Sequence, residues 1–353
     1  MDTQIIVLGA GVIGLTTALV LKQKGYKRVT IIAKYVPGDM CIEYTSPFAG
    51  AHWRTMAMND NPLFQKLDAV SYRKFMGFAG NKQGNINEQV GIMTVTSYDY
   101  YDDNSTPEVT DPWFQNTVRD FKFLTEGLPQ GVKTGHTYTT VLINSPVYLK
   151  WLRSQFEKLG GTIIKQSITH IDEVFHFIRN KEPYAALINC TGLGARFLGG
   201  VQDDKMSPTR GQTVVVYAPH IKKTITHVSA QCMTYVIPRS DGTVILGGTA
   251  DKHDFNPYID DATVQSILAR TTALCPEIDS SLEIVRHATG LRPFREGGPR
   301  FENEIRRSKQ HSFALYVTHA YGHGGFGVQS SWGSAEHTVE LMEKGLSLTK
   351  SHL

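Results

Sequence analysis

A short strand that runs straight into Gly9-Ala10-Gly11-Val12-Ile13-Gly14 constrains the fold more than any other feature of this chain. Residues 4–8 (Gln-Ile-Ile-Val-Leu) suit a strand buried on both faces. A helix is predicted from about Val12 to Lys24, stopped by Gly25, and residues 29–33 (Val-Thr-Ile-Ile-Ala) read as a second buried strand. The G-x-G-x-x-G spacing takes its meaning from this strand–turn–helix setting. Gly9 permits the tight turn, Gly11 lets backbone N–H groups approach a pyrophosphate, and Gly14 lets the helix lie close to the strand. The helix N-terminus then favours the anion. A dinucleotide cofactor is therefore expected at Gly9, Ala10, Gly11, Val12, Ile13 and Gly14.

The residues leave two dinucleotides open. A carboxylate at the end of the second strand would accept ribose hydroxyls, but that position holds Lys34, followed by Tyr35. A cation there could meet a 2′-phosphate, which leaves NADP open beside FAD. Asp39 and Glu43 are substitutes, with spacing against both.

Further along, Asn61-Pro62 opens a helix with apolar residues at 63, 64, 67 and 70, and residues 81–145 carry short strand-like runs such as 91–96. Ser145-Pro146 reads as a serine cap with proline in the first turn. Leu149, Leu152, Phe156 and Leu159 form the apolar face of that helix, and Gly160-Gly161 ends it. Strands are predicted at 162–168, 185–190, 213–217, 234–238, 243–247 and 313–318, and a helix at 261–274. A last amphipathic helix begins near Val328, with Trp332, Val339 and Met342 on one side. The βαβ pieces are thus interrupted by β-rich insertions, and 353 residues exceed what one core usually serves.

Composition removes several classes. With 36 basic and 33 acidic residues the net charge is only +3, so no basic stripe marks a nucleic-acid partner. No apolar run reaches the roughly 18 residues of a membrane span. Cys41, Cys190, Cys232 and Cys275 form no CxxC pair, so neither a zinc ribbon nor a redox dithiol is indicated, and reduced thiols in an intracellular compartment are expected. The early strand leaves no room for a signal peptide. Ser351-His352-Leu353 is a conservative variant of the Ser-Lys-Leu address read by the peroxisomal import receptor.

Two later stretches carry chemistry. The glycine loop at 322–327 precedes a helix, and its backbone N–H groups can hold a partial negative charge. His319 and His323 are four apart, but on a glycine loop and not a helix face, so no metal site is expected. Arg292, in Gly-Leu-Arg-Pro-Phe, reads equally as a surface ion-pair partner or as a fork for a substrate carboxylate. Tyr235, in Thr-Tyr-Val-Ile-Pro-Arg, reads first as a core residue.

Taken in order, the motifs resemble the D-amino-acid oxidase family of flavin enzymes, which includes D-aspartate oxidase. The resemblance covers nearly the whole chain. It rests on Gly-Ala-Gly-Val-Ile-Gly-Leu at 9–15, Ser-Pro-Phe-Ala-Gly-Ala-His-Trp at 46–53, Asn-Cys-Thr-Gly at 189–192 and Arg-Gly-Gln at 210–212. Tyr-Val-Ile-Pro-Arg at 235–239, Leu-Gly-Gly-Thr at 246–249, Gly-Leu-Arg-Pro at 290–293 and Tyr-Gly-His-Gly-Gly-Phe-Gly-Val-Gln at 321–329 complete it. It implies an α/β fold with α+β insertions: a Rossmann-type FAD-binding domain from 1–60, 145–200 and 289–353, and a mainly antiparallel β substrate domain from 61–144 and 201–288.

By the same resemblance Arg292 and Tyr235 bind the substrate carboxylate, and Gly325 offers its carbonyl to the amine. Non-covalent FAD is implied at the Gly9–Gly14 turn, at Lys34, Ser46, Ala49, Gly50, Ile168, Thr191 and Arg292, and at Gly324, Gly325, Phe326, Gly327, Val328 and Gln329. Ala250 stands where the D-aspartate branch has an arginine, so neutral D-amino acids are expected as substrates, with oxygen as the oxidant. Arg54 keeps the acidic-substrate alternative open. The implied setting is the peroxisomal matrix. The resemblance is compatible with a homo-oligomer, and no nucleic acid or membrane is expected as a partner.

Overall fold

The computed structural model describes residues 1–80, 84–178, 184–279, 281–308, 311 and 313–350. The chain divides into two compact units. One takes Met1–Pro47, Leu149–Thr209 and the chain from Leu291 onward; the other takes Phe48–Tyr148 and Arg210–Gly290. The breaks fall at Pro47, Tyr148, Thr209 and Gly290, where the sequence suggests 60, 144, 200 and 288.

The first unit is built on a six-stranded sheet. Its order is Arg300–Arg307, Ala314–Tyr321, Tyr184–Asn189, Ile5–Leu8, Val29–Ala33 and Thr162–Lys165. All neighbours are parallel except the edge strand Arg300–Arg307, which runs antiparallel to Ala314–Tyr321. Ile5–Leu8 is buried at every residue, as its unbroken apolar run requires. The helix Val12–Gln23 is buried from Val12 to Leu21 and packs against the helix Ser331–Lys350. On that last helix Trp332, Ala335, Val339 and Met342 are buried at spacings of three and four. A core of Ile6, Leu8, Ile32, Leu187, Leu315 and Val317 lies under the sheet with Ile171, Val174 and Phe175.

The second unit is built on a larger sheet, most of whose pairs are antiparallel. Along it lie Met206–Tyr217, Thr243–Gly247, Met233–Pro238, Lys223–Val228, Ile92–Tyr101, Thr134–Ile143 and Arg119–Leu124. Lys223–Val228 and Ile92–Tyr101 pair in parallel. The helix Asp261–Leu274 packs its Val264, Ile267 and Thr271 against this sheet, and Asp260 caps it by accepting the Thr263 N–H at 2.8 Å. The helix Pro62–Phe78 is capped by Asn61, which accepts the Phe64 N–H at 3.1 Å.

Four local expectations change. The strand expected at 162–168 ends at Lys165, after the Gln166 N–H makes its bond to the Ala33 carbonyl. Ile168 lies beyond the strand and packs at the edge of the first unit's core. The last helix starts at Ser331, because residues 326–330 close turns of their own: Ser330 N–H reaches the Phe326 carbonyl, and Ser331 N–H that of Val328. Ser145 begins its helix but spends its hydroxyl on the Ala49 carbonyl at 3.1 Å. The helix Pro62–Phe78 buries Leu67, Tyr72, Phe75 and Met76, while Leu63 is exposed. No described helix is long and apolar enough to cross a membrane.

Candidate active site

In the first unit, three segments meet at the start of the helix Val12–Gln23. Gly9 has φ +107°, and a Cβ there would lie 2.5 Å from the Cys190 carbonyl oxygen, so only glycine fits. A Cβ on Gly14 would lie 2.0 Å from the Gly9 oxygen. The helix has no cap from its own Gly11, and Ser46 Oγ fills that role by accepting the Val12 N–H at 3.0 Å. Tyr44, which no motif singles out, donates its hydroxyl to the Ala10 carbonyl at 2.6 Å. Burial raises the pKa of that phenol, so it stays a donor. Thr191 is held by Asn189, whose Oδ1 accepts its hydroxyl at 2.8 Å, and Asn189 in turn meets His319 Nδ1 at 3.1 Å.

This bare backbone cradle at a helix N-terminus suits an anionic dinucleotide. Ser331 adds a buried hydroxyl at the start of the last helix, with no hydrogen-bond partner among the described residues. At the end of the strand Val29–Ala33, Lys34 makes an ion pair with Glu43 at 2.7 Å, and Tyr35 donates to the same carboxylate at 2.8 Å. The Lys34 bond holds Glu43 below the usual carboxylate range. The loop after the strand folds back through turns at Val36–Asp39 and Cys41–Tyr44, which brings Glu43 to a place its spacing does not suggest. The cation that left NADP open is therefore already matched. Asp39 is taken by Lys165 at 2.8 Å.

The same unit joins Arg292 to the glycine loop. Gly324 N–H bonds the Pro293 carbonyl at 2.8 Å, and Phe294 forms a bridge with His323. A Cβ on Gly325 would lie 3.2 Å from Arg292 Cδ, so the arginine stem runs along the bare backbone of Gly325. Gly327 lies against the His323 side chain, and Phe326, Val328 and Gln329 continue the turn into the last helix. His323 is buried and meets Ser334 Oγ at 3.1 Å, and burial pushes its pKa down to about 3. It is a neutral support for the loop, and no cluster of metal-binding side chains occurs among the described residues.

In the second unit, Tyr235 pairs with Gly247 across neighbouring strands. Its ring occupies the space that side chains on Gly247 and Gly248 would need, since a Cβ there would come within 2.2 and 2.4 Å of it. Arg270, which sequence reasoning misses, reaches from its helix to Thr234 Oγ1 at 2.6 Å and the Gly248 carbonyl at 3.3 Å. Ala250 is exposed.

Arg54 is already paired. Its Nε lies 3.0 Å from Asp99 Oδ2, with side chains 15% and 1% exposed. Burial opposes the guanidinium charge, but Tyr101 and Asp99 outweigh it and raise the pKa. Asp99 also accepts from Ser97 at 2.9 Å and Tyr138 at 3.2 Å. Ala49 and Gly50 lie on the sheet, where a Cβ on Gly50 would come 3.2 Å from Ile237.

Comparison with known proteins agrees with these elements. Residues 4–341 match the DAO family model, described as FAD dependent oxidoreductase. A D-amino-acid oxidase of Fusarium vanettenii is 33% identical over 100% of both chains. One from Schizosaccharomyces pombe is 36% identical, over 96% of this chain and 95% of the relative. The chain belongs to the D-amino-acid oxidase family. As a member it is an FAD-dependent oxidoreductase with the family's flavin-binding fold. A D-aspartate oxidase of Cryptococcus neoformans is 30% identical over 96% of each chain. Among solved structures, glycine oxidase from Bacillus cereus shares the fold, with a TM-score of 0.72 over 98% of this chain and 96% of that one at 19% identity. An FAD-bound L-alpha-glycerophosphate oxidase from Mycoplasma pneumoniae aligns with a TM-score of 0.71, over 97% and 95% at 17% identity.

Proposed function

We propose that this flavoenzyme oxidatively deaminates neutral D-amino acids. The Arg54–Asp99 pair carries the neutral-substrate reading. The second unit's candidate receptor for a side-chain carboxylate is neutralised in place, and Ala250 supplies no other cation. An acidic side chain brought there would stay unpaired, which costs several kcal/mol.

Arg292 holds the substrate carboxylate through its planar fork, and Tyr235 gives a second donor. The Gly325 carbonyl accepts from the amine. The Gly9–Gly14 turn and the 324–329 loop would hold FAD, which would supply the two-electron chemistry: it would accept the hydride of the substrate Cα and be reoxidised by oxygen, with hydrogen peroxide as the product. The imino acid then hydrolyses to a 2-oxo acid and ammonia. No side chain acts as general base, since orientation by Arg292, Tyr235 and Gly325 carries the step.

The relatives named D-amino-acid oxidase support this reading, while the Cryptococcus relative favours D-aspartate as the alternative. Peroxide release on a panel of D-alanine, D-methionine, D-valine and D-aspartate tests it. The neutral substrates should show much the larger kcat/KM; a preference for D-aspartate that Arg54→Ala abolishes reverses the assignment. Peroxisomal import belongs to the same proposal. It is supported by Ser351-His352-Leu353, which lie outside the described residues. An N-terminal fluorescent fusion should enter peroxisomes and stay outside them once the tripeptide is removed.

A further inference from the structure

Arg239 stands apart among the buried cations of the second unit. Its residue is only 6% exposed, and its Nε has no hydrogen-bond partner among the described residues. Asp241 lies in the same turn, but its carboxylate accepts from the Thr243 N–H at 3.0 Å, the Thr243 hydroxyl at 2.6 Å and Asn144 Nδ2 at 2.7 Å. No carboxylate lies within ion-pair distance of Arg239 among the described residues. Burial, and then the like charge of Arg286, pull its pKa down to about 10, against a smaller opposing effect of the Asp241 charge. It therefore remains a cation at neutral pH, in a place where an unpaired charge is costly.

The guanidinium is spent on one backbone atom. Arg239 Nη2 donates to the Ala49 carbonyl at 3.0 Å, and Ser145 Oγ donates to the same oxygen at 3.1 Å. Ala51, at φ +42°, is fixed as well, because its carbonyl accepts the Ile143 N–H at 2.9 Å. The peptide between Ala49 and Gly50 is planar and trans, so a pinned Ala49 oxygen turns the Gly50 N–H to the opposite side. That N–H has no backbone acceptor among the described residues. A pinned donor and a buried cation, which the charge of Asp241 offsets only in part, thus meet at the Ala49 carbonyl.

We propose that Arg239 is a positioning residue for FAD: by holding the Ala49 carbonyl it presents the Gly50 N–H to the flavin ring, and its charge favours negative charge on that ring. The proposal rests on the reading of Ala49 and Gly50 as flavin contacts. It accounts for a cation kept in the core with no carboxylate at ion-pair distance and Asp241 spent on Thr243 and Asn144, since the cofactor adds a stabilising partner.

Arg239→Leu and Arg239→Lys test it. Three quantities are read: thermal stability of the FAD-free protein, the FAD Kd from quenching of flavin fluorescence, and the Kd of sulfite, an anion that adds to the bound flavin and leaves it negatively charged. In Arg239→Leu the FAD-free protein should melt at or above the wild-type temperature, because an unpaired buried charge is gone. FAD and sulfite Kd should each rise about tenfold or more, the size of one charge-assisted hydrogen bond. Arg239→Lys should keep sulfite binding nearer the wild type, since the charge remains. A leucine variant that fails to fold or melts lower without FAD makes Arg239 a structural prop and overturns the proposal, as do unchanged FAD and sulfite affinities. Failure of the parent reading looks different, because the wild-type protein would then show no flavin bands and release no peroxide with D-alanine.

Discussion

Arg54 and Asp99 show how one neighbour sets what a side chain can do. The pair is buried and further bonded by Ser97, Tyr101 and Tyr138, so neither partner can be removed alone at low cost. Asp99→Asn should destabilise the protein by about 3–5 kcal/mol, measured by denaturant unfolding, because it strands a buried guanidinium. The same variant should raise kcat/KM for D-aspartate relative to D-alanine, since Arg54 is then released to an incoming carboxylate. Arg292 differs in that its stem is steadied by the bare backbone of Gly325. Arg292→Ala should lose on the order of 2–5 kcal/mol in kcat/KM for D-alanine with flavin content little changed. Normal turnover by that variant removes Arg292 from the carboxylate site. The identities of Arg54 and Arg292 were plain in the sequence. Asp99 was not, because it lies 45 residues from Arg54 and only strand pairing brings the two together.

At the scale of elements, the two chemical ends of the first unit are turns held from outside themselves. The turn before the helix Val12–Gln23 is closed by Ser46 and Tyr44, and the turn before Ser331–Lys350 rests on His323. Gly9→Ala should abolish FAD binding in a fluorescence titration, because its Cβ would run into the Cys190 carbonyl. His323 and His52 give the fold a defined acid response. Burial lowers both from 6.5, to about 3 and about 4. Below about pH 6.5 the unfolded chain binds protons that the native histidines refuse, so stability falls as the pH drops towards 4 and then 3. Unfolding midpoints measured from pH 7 to pH 4 should decline, and His323→Gln should flatten the slope. The glycine turns and the helices were legible from local pattern. The late start of the last helix was not, since the Phe326, Ser330 and Ser331 N–H groups are taken up in turns that no periodicity encodes.

For the whole molecule, the cofactor should act as a component of stability. Binding only the folded state, FAD at a hundred times its Kd should add about 2.7 kcal/mol, so its removal should lower the melting temperature and its return restore it. All four cysteines are free thiols, and burial pushes Cys190 up to about 12, far from a reactive thiolate. Acid precipitation should therefore release the flavin to the supernatant, and flavin retained in the pellet would show a covalent link.

The sequence by itself determined the dinucleotide turn, the buried parallel strands and the family, through the Gly9–Gly14 spacing, the apolar runs and the ordered motifs up to Gln329. Each of these is written in residues adjacent in the chain, where sterics and period act locally. Tertiary structure alone decided the partners of the charges: Glu43 for Lys34, Asp99 for Arg54, and the Ala49 carbonyl for Arg239. Electrostatic pairing acts through space, and a loop that folds back or a register between strands chooses the partner without leaving a local mark in the sequence.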